Sequence, residues 1–313
     1  MRVLFFGTSE FAVPSLRALA RDARFEVVAV VTQPDRARGR GRQVGQSPVK
    51  EVAQVLGLPV LQPARVRSAD FLAEAASLRP DALALAAYGQ IIPRALLELA
   101  PLGPVNLHGS LLPAYRGAAP IQRAILAGER ATGITTMLMD ETLDTGDILL
   151  RCEAPIYDED DAGSLTARLA ERGAELLVET LVRLSEGACP RTPQDDSAAT
   201  YAPAIRPEDA VIRWEEPADV TRNRVRALSP RPGAVAALNG RRVKIWRAEP
   251  AEGPADDPGR IVAIGRGGVE VATGAGRIRV VEVQPEGGKR MAAADWARGA
   301  RVRPGDRFEE MPT

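Results

Sequence analysis

In roughly the first 150 residues, short apolar runs alternate with stretches in which apolar residues recur every three or four positions. The runs are typical of buried strands and the periodic stretches of amphipathic helices. Their alternation predicts a Rossmann-like α/β fold, a mostly parallel sheet with helices on both faces. The predicted strands are RVLFF (2–6), EVVAVVT (26–32), DALALAAY (81–88) and PVNLH (104–108). The predicted helices are PSLRALARD (14–22), SPVKEVAQVLGL (47–58) and SADFLAEAASLRP (68–80).

The pattern changes in the middle of the chain. In residues 133–156 two strand-like runs flank a polar loop, which predicts two antiparallel strands at the edge of the sheet. Residues 162–187 carry a long amphipathic pattern that predicts one helix. Residues 188–203 contain three prolines and no periodicity, which is typical of a linker.

Beyond this stretch the apolar runs are short and closely spaced. Five of them, separated by glycine-containing turns, lie within residues 233–285 and predict a small OB-like β-barrel. We therefore predict an α/β domain at 1–188, a linker at 189–203 and an OB-like domain at 204–313.

The charge and the cysteine and histidine content indicate which kinds of site and partner are unexpected for this chain. The formal net charge is zero, although residues 204–313 carry 20 Lys and Arg against 16 Asp and Glu. Two cysteines without C-x-x-C spacing and a single histidine favour neither a disulfide framework nor a zinc site. The N-terminal apolar run is too short for a signal-peptide core, and no run reaches the roughly 18 apolar residues of a membrane helix. We expect a cytoplasmic, monomeric protein without a metal or a membrane partner.

The single histidine, His108, ends the fourth predicted strand, and Asn106 lies two residues before it. A lone histidine is often structural. Here, however, the two side chains share one face at the carboxyl end of a strand, where open α/β sheets bind ligands. The GSLLP turn that follows (109–113) adds backbone N–H groups. An amide, an imidazole and backbone donors on one face favour stabilisation of an oxyanion.

An acidic partner is expected from another part of the chain. The loop at residues 140–147 holds four acids, among them Asp144. It is either a solvated hairpin loop or the source of a carboxylate that folds over the neighbouring strand end. The D-x-D-x-D-G spacing of a calcium loop is absent.

The stretch NLHGSLLPAYRGAAPIQRAI (106–125), followed by MDETLDTGDIL (139–149), resembles the 10-formyltetrahydrofolate-dependent formyltransferases. The resemblance implies that Asn106, His108 and Asp144 are catalytic. Other stretches are similar to the branch of that family that acts on methionyl-tRNA. They are FFGTSEFAVPSLRAL (5–19), VTQPDRARGRGRQVGQSPVK (31–50), AAYGQIIP (86–93) and VRALSPRPGA (225–234).

The resemblance further implies transfer of a formyl group from 10-formyltetrahydrofolate, a cosubstrate, to the α-amine of initiator methionyl-tRNA. Residues 1–188 would then bind folate and carry out the chemistry, and residues 204–313 would bind tRNA. The expected folate contacts are Ser110, Leu111, Leu112, Pro113, Tyr88, Gln90, Ile91 and Ile92. The expected tRNA contacts are Arg36, Arg38, Arg40 and Arg42.

Alternatives remain open at each of these points. Residues 87–93 can be an ordinary loop, and the alternating arginines can be a solvated run of charge. The enzyme could formylate a small amine instead, or the protein could be a catalytically silent RNA-binding module. Dinucleotide binding is not indicated, because GTSEF (7–11) lacks the G-x-G-x-x-G pattern.

Overall fold

The computed structural model describes residues 1–38, 43–254 and 256–311. The chain forms two compact units, and each is built from several segments. Unit 1 comprises Met1–Gly117, Ala131–Pro155 and Thr166–Ala202. Unit 2 comprises Ala118–Arg130, Ile156–Leu165 and Pro203–Thr313. Within the described ranges, no helix is both long and apolar enough to cross a membrane.

Unit 1 is built on a seven-stranded sheet. Its strands are β1 (Arg2–Gly7), β2 (Glu26–Val31), β5 (Val60–Leu61), β6 (Ala82–Ala86), β7 (Pro104–His108), β8 (Ala131–Leu138) and β9 (Ile148–Pro155). A separate hairpin pairs β3 (Arg36–Arg38) with β4 (Gln43–Gly45). The strand order is β5-β2-β1-β6-β7-β8-β9, parallel from β5 to β7 and antiparallel at β8 and β9. The predicted mostly parallel sheet with an antiparallel edge is therefore confirmed.

Helices follow the strands of unit 1, as the periodic stretches predict. They are α1 (Val13–Arg21), α2 (Pro48–Val55), α3 (Ala69–Ser77), α4 (Arg94–Leu97) and the long α6 (Ala162–Ser185), which begins in unit 2. Helix α2 begins where the Ser47 hydroxyl accepts a hydrogen bond from the N–H of Lys50, and Pro48 follows at the first helical position. Both features stabilise a helix start, because they use N–H positions that lack partners within the helix.

Unit 2 is built on an antiparallel, curled sheet. Its strands are β10 (Ala234–Leu238), β11 (Arg241–Ala251), β12 (Ile261–Gly265), β13 (Gly268–Ala272), β14 (Arg277–Pro285), β15 (Met291–Ala292) and β16 (Phe308–Glu309). The order is β12-β13-β14-β11-β10-β16, and β15 pairs with β14. Its helices are α5 (Pro120–Leu126), α7 (Ala218–Ala227) and α8 (Ala293–Gly299). The five predicted strand runs are present, whereas β15 and β16 are short pairings that carried no sequence signal.

Aromatic stacking organises the core of unit 2. Trp214 is almost fully buried and stacks on Phe308, with 5.3 Å between the ring centroids. Trp296 stacks on the same ring at 5.9 Å. Such contacts add to the hydrophobic stabilisation that each large side chain contributes by burial.

We expect Trp214→Ala to lower the free energy of unfolding by about 3–5 kcal/mol, because it leaves a cavity against Phe308. Urea denaturation followed by circular dichroism measures this change. Trp214→Phe is the matched control, since it keeps an aromatic ring, and it should lose less than half as much stability. Equal losses from both substitutions would contradict this account of the core.

Candidate active site

The site is built at the end of β7, within unit 1. The strand pairs with β6 on one side and with β8 on the other, so its backbone is fixed from both edges. Successive side chains of a strand point to opposite faces. Leu107 packs closely under helix α6, where a Cβ added at Gly173 would lie 2.7 Å from Leu107 Cδ2. Asn106 and His108 therefore share the opposite face, as the sequence predicted.

His108 is buried, with 6% of its surface exposed, and both ring nitrogens face a protein oxygen. Nε2 lies 2.9 Å from the carbonyl oxygen of Tyr115. A carbonyl can only accept, so Nε2 carries a proton and donates it, which fixes the tautomer. Nδ1 lies 3.6 Å from Oδ2 of Asp144. That distance exceeds a direct hydrogen bond, so the carboxylate acts on the imidazole through its charge.

Asp144 is the acid of the 140–147 loop that folds over the strand end. It is buried and has φ +55°, in the left-handed region that Asp tolerates better than most residues. Its Oδ2 accepts a hydrogen bond of 2.9 Å from the backbone N–H of Gly117. The structure thus brings Asp144 to His108 across 36 residues of sequence. The alternative of a solvated hairpin loop does not apply to this carboxylate.

Asn106 is half-buried, and its side-chain amide makes no hydrogen bond to any residue that the structure describes. The amide of Asn106 is therefore available to a ligand. The three predicted catalytic residues thus form an amide donor, an imidazole and a carboxylate on one side of β7. Such a set can stabilise an oxyanion and support proton transfer.

The turn after β7 is held by internal hydrogen bonds. The Ser110 hydroxyl donates to the carbonyl of Ala114 (2.6 Å), and the Thr135 hydroxyl bridges the carbonyl of Ser110 (2.7 Å) and the N–H of Leu112 (3.1 Å). The N–H of Leu112 is therefore not a free donor. Ser110 and Leu112 are fully buried, whereas Leu111 and Pro113 are partly exposed. Of the four expected folate contacts in this turn, the latter two present surface.

The expected folate residues after β6 also divide into two groups. Tyr88 and Ile92 are buried in the core, and Tyr88 meets Phe6 edge-on at 5.3 Å. Burial raises the pKa of the Tyr88 phenol, which has no hydrogen-bond partner among the described residues. Gln90 accepts a hydrogen bond from the N–H of Val66 (3.3 Å). Ile91 is 89% exposed. The buried side chains of Tyr88 and Ile92 thus anchor the loop on the core, and Ile91 is the apolar residue that the loop exposes.

The arginine-rich stretch lies at the β3–β4 hairpin. Arg36 and Arg38 belong to β3, and Arg40 and Arg42 lie outside the described residues. The hairpin itself was not predicted, because three-residue strands give too short an alternation to recognise. Within the described part of the chain, no group of three or more His, Cys, Asp or Glu could hold a metal ion.

Three groups that hold the site together were not predicted from the sequence. They are the carbonyl of Tyr115, the N–H of Gly117 and the side chain of Gln194, which donates to the carbonyl of Asp144 at 2.9 Å. The first two are backbone groups, which carry no sequence signal. Gln194 lies in the stretch interpreted as a linker, where no periodicity marked it.

Comparison with known proteins identifies the family. The formyl transferase family model matches residues 1–181, and the model of the formyl transferase C-terminal domain matches residues 204–301. The methionyl-tRNA formyltransferase of Synechococcus sp. (strain JA-3-3Ab) is 49% identical over 322 residues, covering 100% of this chain and 99% of that protein. The chain belongs to the methionyl-tRNA formyltransferase family. The resemblance that the sequence motifs indicated is confirmed, whereas the roles of individual residues stay predictions.

Two solved structures share the fold of this chain. An N-formyltransferase from Helicobacter canadensis, solved with folinic acid and dTDP-3-aminofucose, gives a TM-score of 0.67 at 19% identity, over 89% of this chain and 98% of that one. HypX from Aquifex aeolicus, solved with tetrahydrofolic acid, gives 0.66 at 20% identity, over 100% of this chain and 51% of that one. At these identities the similarity concerns the fold alone.

Proposed function

We propose that this protein transfers the formyl group of 10-formyltetrahydrofolate to the α-amino group of methionyl-initiator tRNA. The observation that carries the proposal is the Asn106, His108 and Asp144 set at the end of β7, in a chain that matches methionyl-tRNA formyltransferases over its whole length. The folate is a cosubstrate, which leaves without its formyl group. The transfer itself needs no metal.

The reaction forms a bond between the amine nitrogen and the formyl carbon and breaks the bond from that carbon to N10. The amine loses a proton and N10 gains one. A free α-amine has a pKa of about 7.7–8, so a useful fraction is neutral near pH 7 and can attack without a strong base. The main barrier is the negative charge that develops on the formyl oxygen, which favours catalysis by oxyanion stabilisation.

The residues fit this requirement. The Asn106 amide donates to the developing oxyanion. His108 contributes positive charge when Nδ1 is protonated, and Asp144, at 3.6 Å, stabilises that charge and orients the ring. The hydrogen bond from Nε2 to the carbonyl of Tyr115 prevents the ring from turning away.

We assign tRNA binding mainly to residues 204–313, with an OB-like barrel as the scaffold. A bridge between Arg260 and Arg307 supports closure of the curled sheet, because it joins the residues that precede its two outer strands, β12 and β16. The predicted division into residues 1–188, 189–203 and 204–313 is part of this proposal. The cytoplasmic location and the monomeric state also stay predictions.

A cationic surface supports the tRNA assignment. Arg290 stacks on the ring of Trp246 at 3.6 Å, and Lys244 lies 5.3 Å from the same ring. Burial, followed by the charges of Arg242 and Arg290, lowers the pKa of Lys244. Crowded cations that repel one another gain from a nearby phosphate, which is the sequence-independent part of nucleic-acid binding.

An assay with three acceptors tests the proposal. The purified protein is incubated with 10-formyltetrahydrofolate and either charged initiator tRNA, a small primary amine on a nucleotide sugar, or glycinamide ribonucleotide. We expect formylated methionyl-tRNA, with the other two acceptors slower by at least about 10³-fold, because tRNA binding energy is available only to the first. Preference for a small amine would establish the alternative enzyme. Absence of product with every acceptor would favour the silent RNA-binding protein.

A further inference from the structure

The segment that the sequence predicted as a linker runs back over the candidate site. We call residues 189–202, which belong to unit 1, the strap. At one end, the backbones of Thr192 and Ile148 exchange two hydrogen bonds (2.8 and 2.9 Å). At the other end, the N–H of Arg116 donates to the carbonyl of Thr200 (2.8 Å), and the N–H of Ala202 donates to the carbonyl of Arg116 (2.7 Å). The strap is thus attached to the start of β9, directly after the loop that carries Asp144, and to the loop that carries Tyr115.

Between these attachments, one side chain links both loops. Nε2 of Gln194 donates to the carbonyl oxygens of Asp144 (2.9 Å) and Gly146 (2.8 Å). Its Oε1 accepts from Nε (3.0 Å) and Nη2 (2.9 Å) of Arg116. Backbone carbonyls only accept and a guanidinium only donates, so the orientation of the amide follows from its partners. Both amide protons and the amide oxygen are used.

Together these hydrogen bonds hold Asp144 from two sides. Arg116 is 2% exposed, and besides Gln194 it pairs with Oδ1 of Asp196 (2.8 Å) on the protein surface. Directly after Arg116, the N–H of Gly117 donates to the carboxylate of Asp144. The backbone of Asp144 is therefore held by Gln194 and its carboxylate by Gly117, and both groups are connected through Arg116.

We propose that Gln194 is a positioning residue for Asp144. Asp144 has φ +55°, a backbone conformation that residues other than glycine keep only when their surroundings hold it. The two hydrogen bonds from Gln194 fix the carbonyl groups before and after Thr145. They thereby keep the carboxylate of Asp144 at 3.6 Å from Nδ1 of His108. The catalytic part of this inference rests on the proposed formyl transfer.

The substitution Gln194→Glu separates this role from a general structural one. Glutamate has the same shape and still accepts from Arg116, with a stronger charge-assisted bond. It loses both donors, and near neutral pH its carboxylate repels the carbonyls of Asp144 and Gly146. The strap keeps its backbone attachments at Thr192 and Thr200. Asp196→Asn is the matched control, because it alters another contact of Arg116 in the same strap without touching Asp144.

We expect Gln194→Glu to lower kcat about 10- to 100-fold while the KM values for folate and tRNA stay within about twofold, since a misplaced catalytic group affects the transition state rather than binding. Amide hydrogen exchange in a peptide covering residues 140–147 should become faster by at least about tenfold in Gln194→Glu. In Asp196→Asn, both kcat and this exchange should stay within about twofold of the parent.

Three results would overturn the assignment. They are an unchanged kcat in Gln194→Glu, an unchanged exchange rate in the 140–147 peptide, or an equal loss of kcat in Asp196→Asn. A parent protein that does not formylate methionyl-tRNA would refute the proposed function instead. The exchange measurement would then still decide whether Gln194 holds the backbone of Asp144, because it requires no activity.

Discussion

His108→Ala should lower kcat for formyl transfer by about 10²–10³-fold, the usual effect of removing one polar group that stabilises a developing oxyanion. The imidazole lies 3.6 Å from the carboxylate of Asp144, and its Nε2 is hydrogen-bonded to the carbonyl of Tyr115. Its removal deletes that hydrogen bond. We therefore also expect a loss of about 0.5–1.5 kcal/mol in stability, and the variant should remain folded. Single-turnover assays, with thermal unfolding measured in parallel, check both effects.

A double-mutant cycle with Asp144→Asn strengthens the test. If Asp144 acts by stabilising and orienting the imidazole, its substitution should have little further effect on kcat once His108 is absent. The double variant should then be about as slow as His108→Ala alone. Losses that multiply would show that the two residues act in separate steps. Turnover of His108→Ala close to the parent value would remove the histidine from the mechanism.

Much of the α/β unit was predictable because its signals are local. A strand buried on both faces gives an unbroken apolar run, as in β1, β2 and β6, and an amphipathic helix gives a period near 3.6. The position of His108 at a strand end followed from the same pattern. The pairing of Asp144 with His108 did not, because it depends on how residues 139–147 fold over β7, and the family motif supplied it.

The contacts that complete the site were beyond the reach of sequence patterns. The carbonyl of Tyr115 and the N–H of Gly117 are backbone groups, and every residue has them. Gln194 lies among prolines and small polar residues. Such a composition predicts a segment without regular structure, but it does not indicate where that segment packs. The same limit applies to Tyr88 and Ile92. An aromatic and an aliphatic residue after a strand fit a ligand wall and a core equally well, and the structure buries both in the core.

Replacing Arg36, Arg38, Arg40 and Arg42 together by Ala should lower kcat/KM for methionyl-tRNA by about 10²-fold or more, with the KM for 10-formyltetrahydrofolate unchanged. Arg36 and Arg38 belong to β3, and Arg40 and Arg42 follow them in the sequence. Guanidinium groups pair with phosphates and stack on exposed bases. Each phosphate contact that is lost should make the slope of log(kcat/KM) against log salt shallower by about 0.7–0.9. Steady-state assays at four or five salt concentrations measure both quantities.

Two controls separate loss of phosphate contacts from other effects of the Ala substitutions. The same four positions changed to Lys keep the charge, so they should keep most of the salt slope, and they should lose activity only where a flat, bidentate guanidinium is required. A small methionine ester, used at high concentration, has no phosphates to lose, and its slow formylation should be the same in the parent and the Ala variant. An Ala variant that uses tRNA as well as the parent, with the same salt slope, would mean that these arginines are a solvated run of charge. The phosphate contacts would then have to come from cations elsewhere, and the surface around Trp246, with Lys244 and Arg290 on its ring, would be the next to change.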